Sequence, residues 1–66
     1  MSVAKVLEIS ASSTVSSDDA VKQGIAKAAE TVHGITAAWV QDTQVVVENS
    51  KVTEWRVNLK ITFVLE

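Results

Sequence analysis

From Glu54 to Phe63 the chain alternates strictly between polar and apolar residues. Trp55, Val57, Leu59, Ile61 and Phe63 fall on one side, and Leu65 continues the series; Glu54, Arg56, Asn58, Lys60 and Thr62 fall on the other. A period of two residues places successive side chains on opposite faces of a strand, so Lys51 to Leu65 reads as a long strand with one face buried. A strand of this kind needs paired neighbours and something apolar laid across one face.

The rest of the chain supplies both. Thr36 to Glu48 reads as a second long strand, and Asn49-Ser50 between the two reads as a tight hairpin turn. With those two residues as the loop, Glu48 opposes Lys51, Val40 opposes Leu59, Ala38 opposes Ile61 and Trp39 opposes Lys60. That register puts Ala38 and Val40 on the side of Leu59 and Ile61. It puts Ala37, Trp39, Gln41, Val45 and Val47 on the other side, with Arg56, Asn58, Lys60 and Thr62. One bulge would shift the pairing by a residue and reverse the faces beyond it.

Val3 to Ser10 is rich in β-branched and aliphatic residues and reads as the first strand, with Val3, Lys5, Leu7 and Ile9 on one face. The polar run ASSTVSSDD follows as a turn into a helix. Ser16 with Asp19 has the spacing of a capping box, with Ser17 as the alternative cap. Asp18 and Asp19 then suit the positive end of the helix dipole. Val21, Gly24, Ile25, Ala28 and Val32 form one helical stripe, so the helix is predicted to run to about Val32, with Gly34 as its stop and His33 as a dipole-favourable end residue. Gly24 costs about 1 kcal/mol relative to alanine inside a helix; close approach of helix to sheet would compensate. The predicted class is α+β, in the order β-α-β-β: a three-stranded antiparallel sheet with one helix across one face, in a single domain spanning residues 1–66.

Composition narrows the function. A chain of 66 residues has a marginal core of its own. It has no cysteine and one histidine, so disulfides, thiolate metal sites and multi-histidine sites within one chain are excluded. Self-association is the remaining common way to bury more surface. The formal net charge of −2 and the lack of a basic block argue against a nucleic-acid partner. No stretch approaches the roughly 20 apolar residues of a membrane span, and the first residues lack the apolar core of a signal peptide, so a cytoplasmic location and no membrane partner are expected. The serines of SASSTVSS lie far from His33 in the chain, no orienting group is identifiable, and the carboxylates form no pair of recognisable spacing, so no enzyme activity is expected. A mixed face left uncovered by the helix calls for subunit contacts, a ligand, or both. On that face Trp39 is read as an interface anchor or a stacking surface, and Arg56 and Lys60 as solvated or anion-binding. No metal ligands can be assigned.

The stretch TEWRVNLKITF, the ending FVLE, and IAKAAETV in the helix resemble the dodecin family, as does Ala11-Ser12-Ser13 where many dodecins have Gly-Thr-Ser. The resemblance runs ungapped along essentially the whole chain. It implies a hollow homododecamer that binds and sequesters a flavin, riboflavin or FMN, or a related flat aromatic ligand, between subunits. In flavin-binding dodecins a tryptophan of the second strand stacks on the ring and a glutamine of the third strand bonds its edge. Those positions are Ala37 and Arg56 in this chain, the latter after Trp55 where tyrosine is usual. Trp39 stands two residues from Ala37, about 7 Å along the same strand. The cofactor-binding candidates are therefore Ala37, Trp39, Gln41, Arg56 and Lys60. The alternative is a dodecin-fold structural or ion-binding assembly without flavin.

Overall fold

The computed structural model describes residues 3–65. Four elements follow in chain order: β1 (Val3–Ser13), α1 (Ser17–Ala28), β2 (Ile35–Glu48) and β3 (Lys51–Leu65). All pairing is antiparallel, and the order across the sheet is β1-β3-β2. The predicted β-α-β-β class is the observed one. The strand with the longest alternation is the central strand, which explains why its pattern is the cleanest.

The core is small. Among the described residues Ala20, Val57, Leu59 and Ile61 are the buried apolar side chains, with Ile9, Ala11, Val21, Ile25, Ala28 and Ile35 packed around them. α1 packs against β1 and β3 rather than β2. Gly24 makes this possible, because a Cβ there would stand 2.8 Å from the Ala11 Cβ and 3.4 Å from Leu59 Cδ1. The close approach expected at this glycine is thus present.

Ser16 caps α1, accepting the Asp19 N–H at 3.0 Å. The Asp19 carboxylate does not return to the cap. It accepts from the Ser13 hydroxyl at 2.6 Å and from the Gln23 amide at 2.5 Å. Ser13 is buried and belongs to β1, not to a turn. β1 therefore extends three residues beyond the predicted Ser10, because Ala11, Ser12 and Ser13 pair with Val57, Arg56 and Trp55. The helix is shorter than predicted. It ends at Ala28 with Ala29 as its cap, four residues before Val32. His33 and Gly34 lie beyond it and do not terminate it. Gly34 takes φ +80° where the chain enters β2, and its carbonyl accepts the Val64 N–H at 3.0 Å.

The hairpin turn is as expected: Asn49 and Ser50 both have positive φ, 51° and 64°, the twist that suits a two-residue antiparallel loop. Glu48–Lys51, Val40–Leu59, Trp39–Lys60 and Ala38–Ile61 all pair as predicted. Between them the register differs. Thr53 bulges from β3 and Gln41 bulges from β2, and the two shifts cancel. From Asp42 to Val46 the pairing is displaced by one. Val45 thus opposes Trp55, and Val47 opposes Val52, placing both valines on the helix side rather than beside Trp39.

Ala38 and Val40 also lie on the helix side, yet α1 does not reach over β2, and both are exposed. The hairpin projects past the helix. The molecule measures 52 × 19 × 13 Å, with a radius of gyration of 13.6 Å, against about 11 Å for a compact chain of this length.

Gly24→Ala should lower the denaturation midpoint. Alanine gains about 1 kcal/mol in helix propensity, but the added Cβ overpacks the contact with Ala11 at a cost of about 1–3 kcal/mol. Ala11→Gly in the same chain should restore part of the loss; a raised midpoint for the single variant would contradict the contact.

Candidate functional site

The face of the sheet opposite α1 is built by residues that alternate with the core positions of β3. Arg56, Asn58, Lys60 and Thr62 oppose Ser12, Ser10, Glu8 and Val6 of β1 on one side, and these four together with Glu54 oppose β2 residues on the other. The helix leaves this face open, so its side chains are held chiefly by one another.

Trp39 is its largest apolar group and is 67% exposed. The Lys60 ammonium stands 5.9 Å from the centre of its ring, within range of a cation–π contact. Lys60 also lies 3.8 Å from the Glu8 carboxylate, its cross-strand partner on β1. Ala37 opposes Thr62 on the same face, one step from Trp39. Arg56 lies four residues from Lys60 along β3, about 13 Å away, and pairs with Glu54 at 3.5 Å. The five candidates therefore do not form one cluster within the chain: Ala37, Trp39 and Lys60 adjoin, Arg56 stands apart, and Gln41 is the bulge residue.

The bulge at Gln41 brings Asp42 onto the Trp39 face, where it opposes Asn58. The Asn58 amide donates to Asp42 Oδ1 at 2.6 Å, and its carbonyl accepts from the Ser10 hydroxyl at 2.6 Å. A hydrogen-bonded belt thus crosses all three strands beside a depression of about 410 Å³ whose lining includes Glu8, Ser10, Gln41, Asp42 and Asn58. Sequence reasoning missed Asp42 because uninterrupted alternation assigns it to the helix side. Gln41-Asp42 followed by Thr-Gln-Val-Val-Val carries no residue that marks the bulge. Asn58 was visible on this face, but its role as a bridge was not.

Among the described residues no group of three or more His, Cys, Asp or Glu side chains is arranged to hold a metal ion, and no helix is long and apolar enough to cross a membrane. The face offers an aromatic surface, a neighbouring cation, and a polar belt.

A sequence profile of the dodecin family matches residues 3–66. The chain belongs to the dodecin family. The fold agrees with solved dodecins. The dodecin of Streptomyces coelicolor is 28% identical, with 98% of this chain and 93% of that chain covered and a TM-score of 0.93. The dodecin of Streptomyces davaonensis is 25% identical, with 98% and 96% covered and a TM-score of 0.94. A third, from Mycobacterium tuberculosis, is described as a calcium-chelating immunodominant antigen, a calcium dodecin with a novel calcium-binding site. It is 25% identical, with 97% and 91% covered and a TM-score of 0.84. A search of curated protein sequences gives no significant match.

The Lys60–Trp39 contact can be measured by a double-mutant cycle on stability with Lys60→Met and Trp39→Ala. The expected coupling is about 0.5–1 kcal/mol, and additive losses would mean that the ammonium does not sit over the ring.

Proposed function

We propose that this dodecin assembles into a hollow homododecamer that binds and sequesters a flat aromatic ligand, riboflavin, FMN or a related ring, on the Trp39 face, and that it is a binding protein rather than an enzyme. The observation that carries this reading is Trp39 itself: a tryptophan two-thirds exposed on an uncovered sheet face, beside a lysine and a polar belt. An indole left bare in the single chain is stabilised by a stacking partner or by a subunit contact. Closing the assembly around the face would supply the second wall of a ligand pocket.

Exposed Val3, Val6, Leu7, Val40, Val45, Val47, Val52 and Leu65 support the assembly. They are too many for a lone chain with four buried apolar side chains among its described residues, and apolar surface of this extent marks association. The family resemblance supplies the dodecameric number. Trp39, Lys60 and Gln41 are the ligand-contacting residues of this reading. Ala37 leaves room beside the indole where a larger side chain would stand. Arg56, about 13 Å from Lys60 in the same chain, reaches a ligand there only from another subunit. When bound, the ligand is a guest shielded from solvent; the chain orients it and excludes water. A cytoplasmic setting, without a nucleic-acid or membrane partner, completes the proposal.

A second reading, an ion-binding assembly with the same fold and no flavin, is favoured by the similarity to the calcium dodecin.

Two measurements test the proposal. The mass in solution should lie near twelve times the 7.1 kDa chain; a mass near one chain would remove the ground from both readings. Riboflavin and FMN fluorescence should be quenched on titration with the protein, and Trp39→Ala should abolish the quenching. No quenching up to millimolar ligand, together with calcium binding by calorimetry, would replace the first reading by the second.

A further inference from the structure

Lys60 is the middle of a row that crosses the sheet. Glu8 of β1 opposes it on one side and Trp39 of β2 on the other. Its ammonium is engaged by both and closely by neither. It stands 3.8 Å from the Glu8 carboxylate, near the limit of about 4 Å for an ion pair. It stands 5.9 Å from the centre of the indole, near the limit of about 6 Å for a cation–π contact. Asn58, the next residue of β3 on this face, has its amide committed to Ser10 and Asp42. A lysine head on a flexible four-carbon stem can swing between two such stations. The Glu8 side chain is 70% exposed, against 35% for Lys60, so Glu8 is free to turn and meet it.

The position of the ammonium bears on ligand binding because it lies over the Trp39 ring. A planar ring stacked on an indole places its centre about 4.5–7 Å from the indole centre. That shell is the one the ammonium occupies, so ammonium and stacked ring compete for the same side of the indole. We infer that Lys60 is a gate on the Trp39 face: it covers the indole until a planar ring stacks there, and it then moves to Glu8 on the far side of β3. The inference rests on the stacking reading given above. Glu8 becomes a positioning residue, acting on the ligand only through the lysine it receives. A binding-competent site that is populated for part of the time lowers the apparent affinity by that fraction, and the Trp39–Lys60 contact sets the fraction here. The gate also disfavours a cationic ring, which would meet the displaced ammonium beside it.

The test titrates the assembled protein with riboflavin and follows the quenching of flavin fluorescence; riboflavin is uncharged, so no phosphate attracts the lysine. Lys60→Thr keeps a strand-forming residue but cannot reach the ring, and it should bind riboflavin about two- to fivefold more tightly, the range of an exposed cation–π contact removed. Glu8→Gln weakens the second station and should bind about twofold less tightly, the range of an exposed ion pair. In the Lys60→Thr chain, Glu8→Gln should have no effect on affinity. The mass of each variant assembly is measured alongside, and affinities are compared among those that match the wild type. Equal or weaker binding by Lys60→Thr overturns the gate and leaves the stacking on Trp39 standing. A Glu8→Gln effect that persists without Lys60 overturns the role of Glu8 as a station for the lysine. If neither the wild type nor Lys60→Thr quenches riboflavin, the stacking reading falls and this inference falls with it.

Discussion

The contact between Gly24 of α1 and the Ala11–Leu59 floor of the sheet organises the molecule. A glycine lets the helix axis come close enough for Ala20 to be buried against Val57, Leu59 and Ile61. Close seating over β1 and β3 also fixes what the helix leaves open. It does not cover β2, so the helix-side valines of the hairpin stay exposed, and it leaves the opposite face of the sheet open. A single chain built this way has, among the described residues, a core of four buried apolar side chains and two incompletely covered surfaces. Assembly is the physical answer to that imbalance, since this chain has no cysteine with which to form disulfides.

Two bulges then divide the hairpin into regions of different use. Beside the turn and from Ala37 to Val40 the pairing follows simple alternation; between Gln41 and Thr53 it is displaced by one residue, and a further shift lies at Thr36, where β2 begins. The displacement sends Val45 and Val47 to the helix side, where they extend the apolar surface available to other subunits. It sends Asp42 to the Trp39 side, where it completes the polar belt. The displaced stretch therefore carries bare valines on the helix side and the polar belt on the Trp39 side of the same strand.

Much of the fold was legible in the sequence because it rests on short-range patterns. The β3 alternation, the Asn49-Ser50 turn, the Ser16 cap and the role of Gly24 each depend on residues close in sequence or on one clear steric demand. The errors arose where tertiary pairing overrode local pattern. Ala11 to Ser13 looked like a loop, yet β3 recruits them as strand, and Ser13 then ties β1 to the helix start through Asp19. The stripe through Val32 suggested four more helical residues than the chain forms, because the turn that enters β2 at Gly34 claims them. Trp39 beside Lys60 was legible, since the two bulges cancel before reaching that pair. Asp42 was not, since nothing in its neighbours announces a bulge.

The central claim is that Trp39 is a ligand surface in the assembled dodecin. A crystal structure of the assembly grown with riboflavin tests it most directly. The claim predicts density for the ring in van der Waals contact with the Trp39 indole, beside Lys60. An assembly in which Trp39 is sealed between subunits, with riboflavin absent or bound elsewhere, would contradict it.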